Sequence, residues 1–202
     1  MHNSSMKPRV ALIAAQAIAG PKQIRKATPP FGIASLAAVL RNNGYVDLFL
    51  LDTVVEGYDN LEPINDNKDF FKFGLSNSDV IERLIDFDAD IIAISSLFST
   101  QTECAIDMAN DIKSKLPDIP IVMGGNHASN LASEILCQES SVDYIIAGEA
   151  DYTFLEFLEK YFNKRNFLDV QGLVWREGSE IKMNPRPSFI ANLDDLPFPA
   201  FD

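Results

Sequence analysis

Ile91-Ile92-Ala93-Ile94-Ser95-Ser96-Leu97-Phe98-Ser99-Thr100 is the stretch that decides the fold. Its first residues form an unbroken apolar run, as expected of a strand buried on both faces. Hydroxyl side chains follow at once. Thr100-Gln101-Thr102-Glu103 then has the spacing of a capping box, a Ser/Thr followed three residues later by Glu. The helix it opens keeps a 3-4 rhythm through Ala105, Met108, Ala109, Ile112 and Leu116, and Pro117 and Pro120 close it. A buried strand, a polar turn and an amphipathic helix make the repeating unit of an α/β fold.

The same unit recurs on both sides. Toward the C-terminus, Ile121 to Met123 reads as a strand running into Gly124-Gly125, and Ala128, Leu131, Ala132, Ile135 and Leu136 mark one inward helix stripe. Val142 to Ala147 is the next strand, with Phe154, Phe157, Leu158 and Tyr161 on the helix after it. Toward the N-terminus, Asp79 to Phe87 reads as a short helix, and Val46 to Leu51 as a strand ending at Asp52. Ile33, Leu36, Ala37 and Leu40 share a helix stopped at Gly44, and Val10 to Ala15 is the first strand. The class is therefore α/β: a flavodoxin-like (Rossmann-like) doubly wound sheet of five parallel strands in the order 2-1-3-4-5. Gly172 to Arg176 and Glu180 to Met183, joined by Glu177-Gly178-Ser179, read as a β-hairpin. Residues 184–202 carry Pro185, Pro187, Pro197 and Pro199 and read as an extended linker toward a neighbouring domain missing from this chain. The expected division is 1–168 for the α/β domain and 169–202 for hairpin and linker.

A chain of 202 residues, 47% of them hydrophobic, suffices for one ordinary domain with appendages. A net charge of −12 argues against nucleic acid, whose phosphates need a basic surface, and equally against an anionic membrane surface. No run reaches the roughly 18 apolar residues of a membrane span, and Met1 to Val10 has no apolar stretch of signal-peptide type. Cys104 and Cys137 lie on separate expected helices with no cluster spacing, and read as reduced core or near-core cysteines. A cytoplasmic protein is expected.

Ligands of open α/β sheets bind outside the carboxyl ends of the strands, so the loops there are the candidate site. The first connection, roughly Gln16 to Phe31, is long enough to be functional. It ends in the rigid elbow Pro29-Pro30-Phe31-Gly32, which serves equally as a surface turn or a ligand wall. Ser95 and Ser96 sit beside the expected switch point, available to a ligand or to the backbone. Gly124-Gly125-Asn126-His127 joins two small residues to a helix start, where free N–H groups suit an anion; no GK[ST] follows, so it is no P-loop. GxGxxG is also absent. His127 reads as a polar cap or a ligand, and Glu149 after Gly148 as a partner of the helix dipole or part of the rim. His2 and His127 alone cannot make a usual zinc site, and no catalytic set is evident.

Taken in order, these residues are familiar. Pro30-Phe31-Gly32-Ile33-Ala34-Ser35-Leu36-Ala37, the strand from Ile91 to Ser95, Gly124-Gly125-Asn126-His127-Ala128 and Val142-Asp143-Tyr144-Ile145-Ile146-Ala147-Gly148-Glu149 come in sequence. Gly172-Leu173-Val174-Trp175-Arg176 and Leu193-Asp194-Asp195-Leu196-Pro197-Phe198-Pro199 follow. The whole resembles the N-terminal cobalamin-binding domain of cobalamin-dependent radical S-adenosylmethionine enzymes. The likeness is to the branch holding the anaerobic magnesium-protoporphyrin IX monomethyl ester cyclases and many methyltransferases. The resemblance implies cobalamin as cofactor. It also implies a partner on the same polypeptide, a radical S-adenosylmethionine barrel whose CxxxCxxC motif holds a [4Fe–4S] cluster. This chain has no such triplet, so cluster, S-adenosylmethionine and catalysis are expected only in that barrel. The DxHxxG signature is also absent, since the loop reads Ala14-Ala15-Gln16-Ala17-Ile18-Ala19-Gly20. Cobalamin is then expected base-off and histidine-off, with no protein ligand to cobalt. Gln16 would lie near its lower face, and Pro30, Phe31, Gly32, Ser95, Ser96, Gly124, Gly125, Asn126, His127, Gly148 and Glu149 near its tail and rim. A degenerate module that only shapes a substrate entrance, and a flavodoxin-like nucleotide binder, are the alternatives.

Overall fold

The computed structural model describes residues 7–20, 22–64, 67–164 and 166–202. His2 lies outside them. In chain order the elements are β1 (Val10–Ala14), β2 (Ala17–Ala19), α1 (Phe31–Asn42), β3 (Leu48–Asp52), α2 (Thr53–Glu56), β4 (Leu61–Ile64), β5 (Asn67–Phe73), α3 (Asn77–Phe87) and β6 (Ile91–Ser95). They continue with α4 (Ser99–Lys115), β7 (Ile121–Gly124), α5 (Asn126–Asn130), α6 (Ala132–Gln138), β8 (Tyr144–Ile146), α7 (Asp151–Phe162), β9 (Leu173–Glu177) and β10 (Glu180–Met183).

The apolar runs explain the layers. Side chains alternate across a strand, so Val10 and Leu12 of β1 join Ile91 and Ala93 of β6 on one face, packing on Ala37 and Leu40 of α1 and Phe157 and Leu158 of α7. Ala11, Ile13, Ile92 and Ile94 face the other way, onto Leu84, Met108, Ala109 and Ile135 of α3, α4 and α6. A strand covered on both faces must be apolar at every position, and these are. The main sheet runs β10-β9-β8-β7-β6-β1-β3. Its five parallel strands stand in the order expected from sequence. The hairpin is not an appendage: β9 pairs antiparallel with β8, Ile145 opposite Val174, and extends the sheet.

Four local expectations are corrected. Helix α4 starts at Ser99 with Phe98 as its N-cap, so Thr100 lies in the first turn; the Phe98 N–H is satisfied by Gln101 Oε1 at 3.3 Å, not through Glu103. The single helix expected after Gly125 is two, α5 and α6, broken at Leu131, which is exposed rather than inward. Cys104 is buried, but Cys137 is exposed. The expected extended linker includes a 3-10 turn at Leu193–Asp195, and its end folds back on α1, the Ala200 N–H donating to Ala34 O at 3.0 Å.

A second sheet, β2-β5-β4, antiparallel, has no counterpart in the sequence reading. β2 is a three-residue strand within the long first loop, and β5 reaches it from the segment between β3 and α3. Ala19, Val54 and Phe73 form its small core. Among the described residues no helix is long and apolar enough to cross a membrane.

Candidate cofactor cavity

Strand register builds the floor. Ala14 of β1 lies opposite Asp52 of β3 and Ser95 of β6, and Ser95 lies opposite Gly124 of β7. Asp52, Ala14, Ser95 and Gly124 therefore form one row along the carboxyl edge of the sheet, small in the middle. Above it opens a cavity of about 890 Å³, near the upper end of ligand sites. Its walls come from β2 and the loop after it, the first turn of α1, the turn before α4, the 148–151 turn and Phe154 of α7.

The site residues expected from sequence divide into two groups. Pro30, Phe31, Gly32, Ser95, Gly124, Gly125, Gly148 and Glu149 all line the cavity. Gln16, Ser96, Asn126 and His127 do not. Gln16 is buried beside Gly74, its amide nitrogen donating to Leu75 O at 2.7 Å and to Asn77 Oδ1 at 2.8 Å. Its Oε1 has no partner among the described residues. Ser96 is buried, its hydroxyl paired with Thr102 Oγ1 at 2.8 Å and its N–H with Gly124 O at 2.8 Å. It ties two cavity loops together from behind. Asn126 is exposed and His127 half-buried at the start of the five-residue α5.

Two kinds of glycine serve the site. Gly125 has φ +104°, and a Cβ there would fall 2.4 Å from Ser96 O, so only glycine lets the 95–98 and 124–126 turns touch. Gly124 and Gly32 have ordinary φ. A Cβ on Gly124 would meet only Ile146 O, at 3.9 Å, and one on Gly32 nothing within 4 Å. Both line the cavity, and the space beside them is open.

The carboxylates of the wall are engaged by the chain itself. Asp52 Oδ1 accepts from Val54 N and Val55 N at 3.0 and 3.1 Å, capping α2, while burial raises its pKa against those bonds. Glu149 Oε2 accepts from Ile190 N at 2.7 Å, and Asp151 Oδ1 from the Ser35 hydroxyl at 2.5 Å. Asp52, Asp151, Phe98 and the loop cation Arg25 were not among the site residues expected from sequence. Asp52 was legible, because it ends a strand at the carboxyl edge. Arg25 was not, because its place depends on the second sheet. No group of three or more His, Cys, Asp or Glu suits a metal ion among the described residues.

A doubly wound sheet with glycine-cleared turns around one large cavity at its carboxyl edge defines a Rossmann-like ligand-holding domain. The chain belongs to the B12 binding domain family, whose model matches residues 23–158. It is 29% identical over 197 residues to cytidylyl-2-hydroxyethylphosphonate methyltransferase of Streptomyces wedmorensis, covering 87% of this chain and 36% of that protein. It is 25% identical to the anaerobic magnesium-protoporphyrin IX monomethyl ester cyclase of Synechocystis, over 82% of this chain and 30% of that one. The chain thus spans about a third of the length of these curated relatives. The fold matches OxsB, a cobalamin-dependent S-adenosylmethionine radical enzyme solved with aqua-cobalamin and S-adenosylmethionine bound. The TM-score is 0.74 at 20% identity, over 96% of this chain and 24% of that one. It also matches the methyltransferase TsrM of Kitasatospora setae, solved with cobalamin and a [4Fe–4S] cluster. There the TM-score is 0.66 at 13% identity, over 94% of this chain and 31% of that one. The expected likeness to the cobalamin-binding domain of cobalamin-dependent radical S-adenosylmethionine enzymes is borne out. The residues present fit cobalamin: the cavity is large, and Gly32 and Gly124 leave space a side chain would fill.

Proposed function

We propose that this chain holds cobalamin base-off and histidine-off at the carboxyl edge of its sheet, for chemistry performed by a radical S-adenosylmethionine barrel on the same polypeptide. The observation that carries this reading is the glycine-cleared cavity in a chain of the B12-binding family, with no histidine among its described lining residues. Bound cobalamin supplies organometallic chemistry at cobalt, methyl transfer or radical rearrangement. The chain's own part is to bind and orient. Gly124 would leave room for the nucleotide tail beside Ser95, while Gly125 and Ser96 hold the two turns together from behind. Pro30, Phe31, Gly32, Gly148 and Glu149 form the rim. Gln16 acts indirectly, bracing the end of β1 against the start of α3 through Leu75 O and Asn77. Asn126 and His127 do not line the cavity and take no part at cobalt. Residues 1–168 are the cofactor domain and 169–202 the hairpin and tail leading to the barrel. The barrel would carry the cluster and S-adenosylmethionine and choose the substrate.

The test is a visible absorption titration with hydroxocobalamin, followed by reduction and gel filtration. Retained cobalamin with a base-off spectrum supports the reading. A base-on spectrum overturns the tail geometry. Elution of all cobalamin in the free-ligand fraction, from a folded chain, favours the alternative prompted by the missing DxHxxG: a module that only shapes the substrate entrance.

A further inference from the structure

Charge is unevenly placed along this acidic chain. The residues before Asp47 include no Asp or Glu, yet carry Lys7, Arg9, Lys22, Arg25, Lys26 and Arg41. Lys7, Arg9 and Arg41 each reach a carboxylate elsewhere in the fold: Glu159, Asp88 and Asp202. Lys22, Arg25 and Lys26, all on the loop after β2, form no ion pair with a described residue, and Arg25 and Lys26 line the cavity. The carboxylates that line the cavity, Asp52, Glu149 and Asp151, are held by helix amides, the Ile190 amide and the Ser35 hydroxyl.

Arg25 is moreover fixed in place. Its guanidinium carbon lies 4.6 Å from the Tyr58 ring centroid and 5.9 Å from that of Phe73. Nη1 donates to Tyr58 O, and the Tyr58 hydroxyl donates back to Arg25 O at 3.0 Å. The half-buried planar fork is thus held by two elements, with donors left over and no carboxylate taking them. A guanidinium in such a setting suits the paired oxygens of an oxyanion.

We infer that Arg25, assisted by Lys26, is a recognition site for a phosphate-type oxyanion on a ligand entering the cavity past the 20–28 loop. The inference rests on reading the cavity as the cobalamin site. That oxyanion has two sources, the cofactor's own phosphodiester or a second, anionic ligand brought to the corrin.

The test follows backbone amide shifts of residues 22–28 during titration of the chain with inorganic phosphate, at ionic strength held constant with chloride. Saturable shifts are expected. Arg25→Gln should weaken phosphate about tenfold, the loss of one charge-assisted pair. Arg25→Lys should fall between, and Lys26→Gln, which leaves the Tyr58 clamp intact, should weaken it by about twofold. Absence of saturation, or equal affinity in Arg25→Gln, overturns the site. Loading the chain first with hydroxocobalamin or with hydroxocobinamide, which lacks the phosphodiester, separates the sources. Loss of the phosphate response with cobalamin alone assigns the oxyanion to the cofactor; persistence with both assigns it to a second ligand. Corrinoid uptake without any phosphate response refutes the oxyanion site and spares the cobalamin reading. A phosphate response in a folded chain that takes up neither corrinoid does the reverse.

Discussion

Gly124 and Gly125 are neighbours with opposite duties. Gly124→Val places its side chain in open cavity, so the fold should survive while hydroxocobalamin affinity falls by about tenfold or more, the effect of filling a ligand's space. Gly125→Val meets both a φ of +104° and the Ser96 carbonyl, and should lower unfolding free energy by about 2 kcal/mol or more in urea melts. The two cysteines differ as sharply. Burial pushes the Cys104 thiol up to about 11, whereas Cys137 is exposed. Iodoacetamide at pH 8 should alkylate Cys137 quickly and Cys104 only after denaturation, as peptide mass mapping will read. Asp52 offers a pH signature. Its folded-state pKa is raised by burial, so the native fold holds this proton more tightly than the unfolded chain does. Its contribution is fully present below its unfolded pKa of about 4 and is lost as pH rises through the folded value. Asp52→Asn retains a capping oxygen without the charge, so its urea midpoint relative to the parent should rise between pH 3.5 and pH 7. A relative fall over that range would contradict the assignment.

At the scale of elements, the hairpin is a structural clamp. Arg176 of β9 donates from Nε to Leu136 O at 2.9 Å, from Nη1 to Val142 O at 2.7 Å and from Nη2 to Glu139 O. One side chain thus satisfies carbonyls that the end of α6 leaves open. Arg176→Leu strands these half-buried acceptors and should cost about 2–3 kcal/mol in unfolding free energy. Exchange should rise first in α6 and β9, as hydrogen exchange with mass spectrometry resolves. The hairpin's existence was readable from Glu177-Gly178-Ser179 between Gly172–Arg176 and the alternating Glu180–Met183. Its pairing with β8 was not, because a strand's partner is set by which edge remains open. The β2-β5-β4 sheet escaped for a related reason. A three-residue strand carries no period, and its pairing with β5 spans a long stretch of chain.

For the whole molecule, the tail matters most. It runs from Glu149, which takes the Ile190 amide, to α1, where Ala200 bonds Ala34 and the Phe201 ring lies 5.1 Å edge-on from Phe31, and Pro199 lines the cavity. A chain ending at Pro185 loses these contacts, including a charge-assisted bond worth about 2 kcal/mol. Its urea midpoint should fall while far-ultraviolet dichroism keeps the α/β signal. An unchanged midpoint would show the tail to be an uncoupled linker. The sequence alone determined the doubly wound sheet and the end at which the cavity opens. Unbroken apolar runs demand two covered faces, and right-handed crossovers then leave few strand orders. The elbow at Pro30 to Gly32 and the glycines at 124 and 125 were legible for the same reason, since strand ends locate them. Only the tertiary structure decided which of those residues face the cavity. Gln16 and Ser96 sit at the same edge as Ala14 and Ser95, yet their polar side chains find partners inside the protein. Arg25 reaches the wall only because Tyr58 and Phe73, distant in sequence, fold beneath it. Local pattern fixes where a strand stops; the direction in which the next side chain turns depends on whatever the rest of the chain packs beside it.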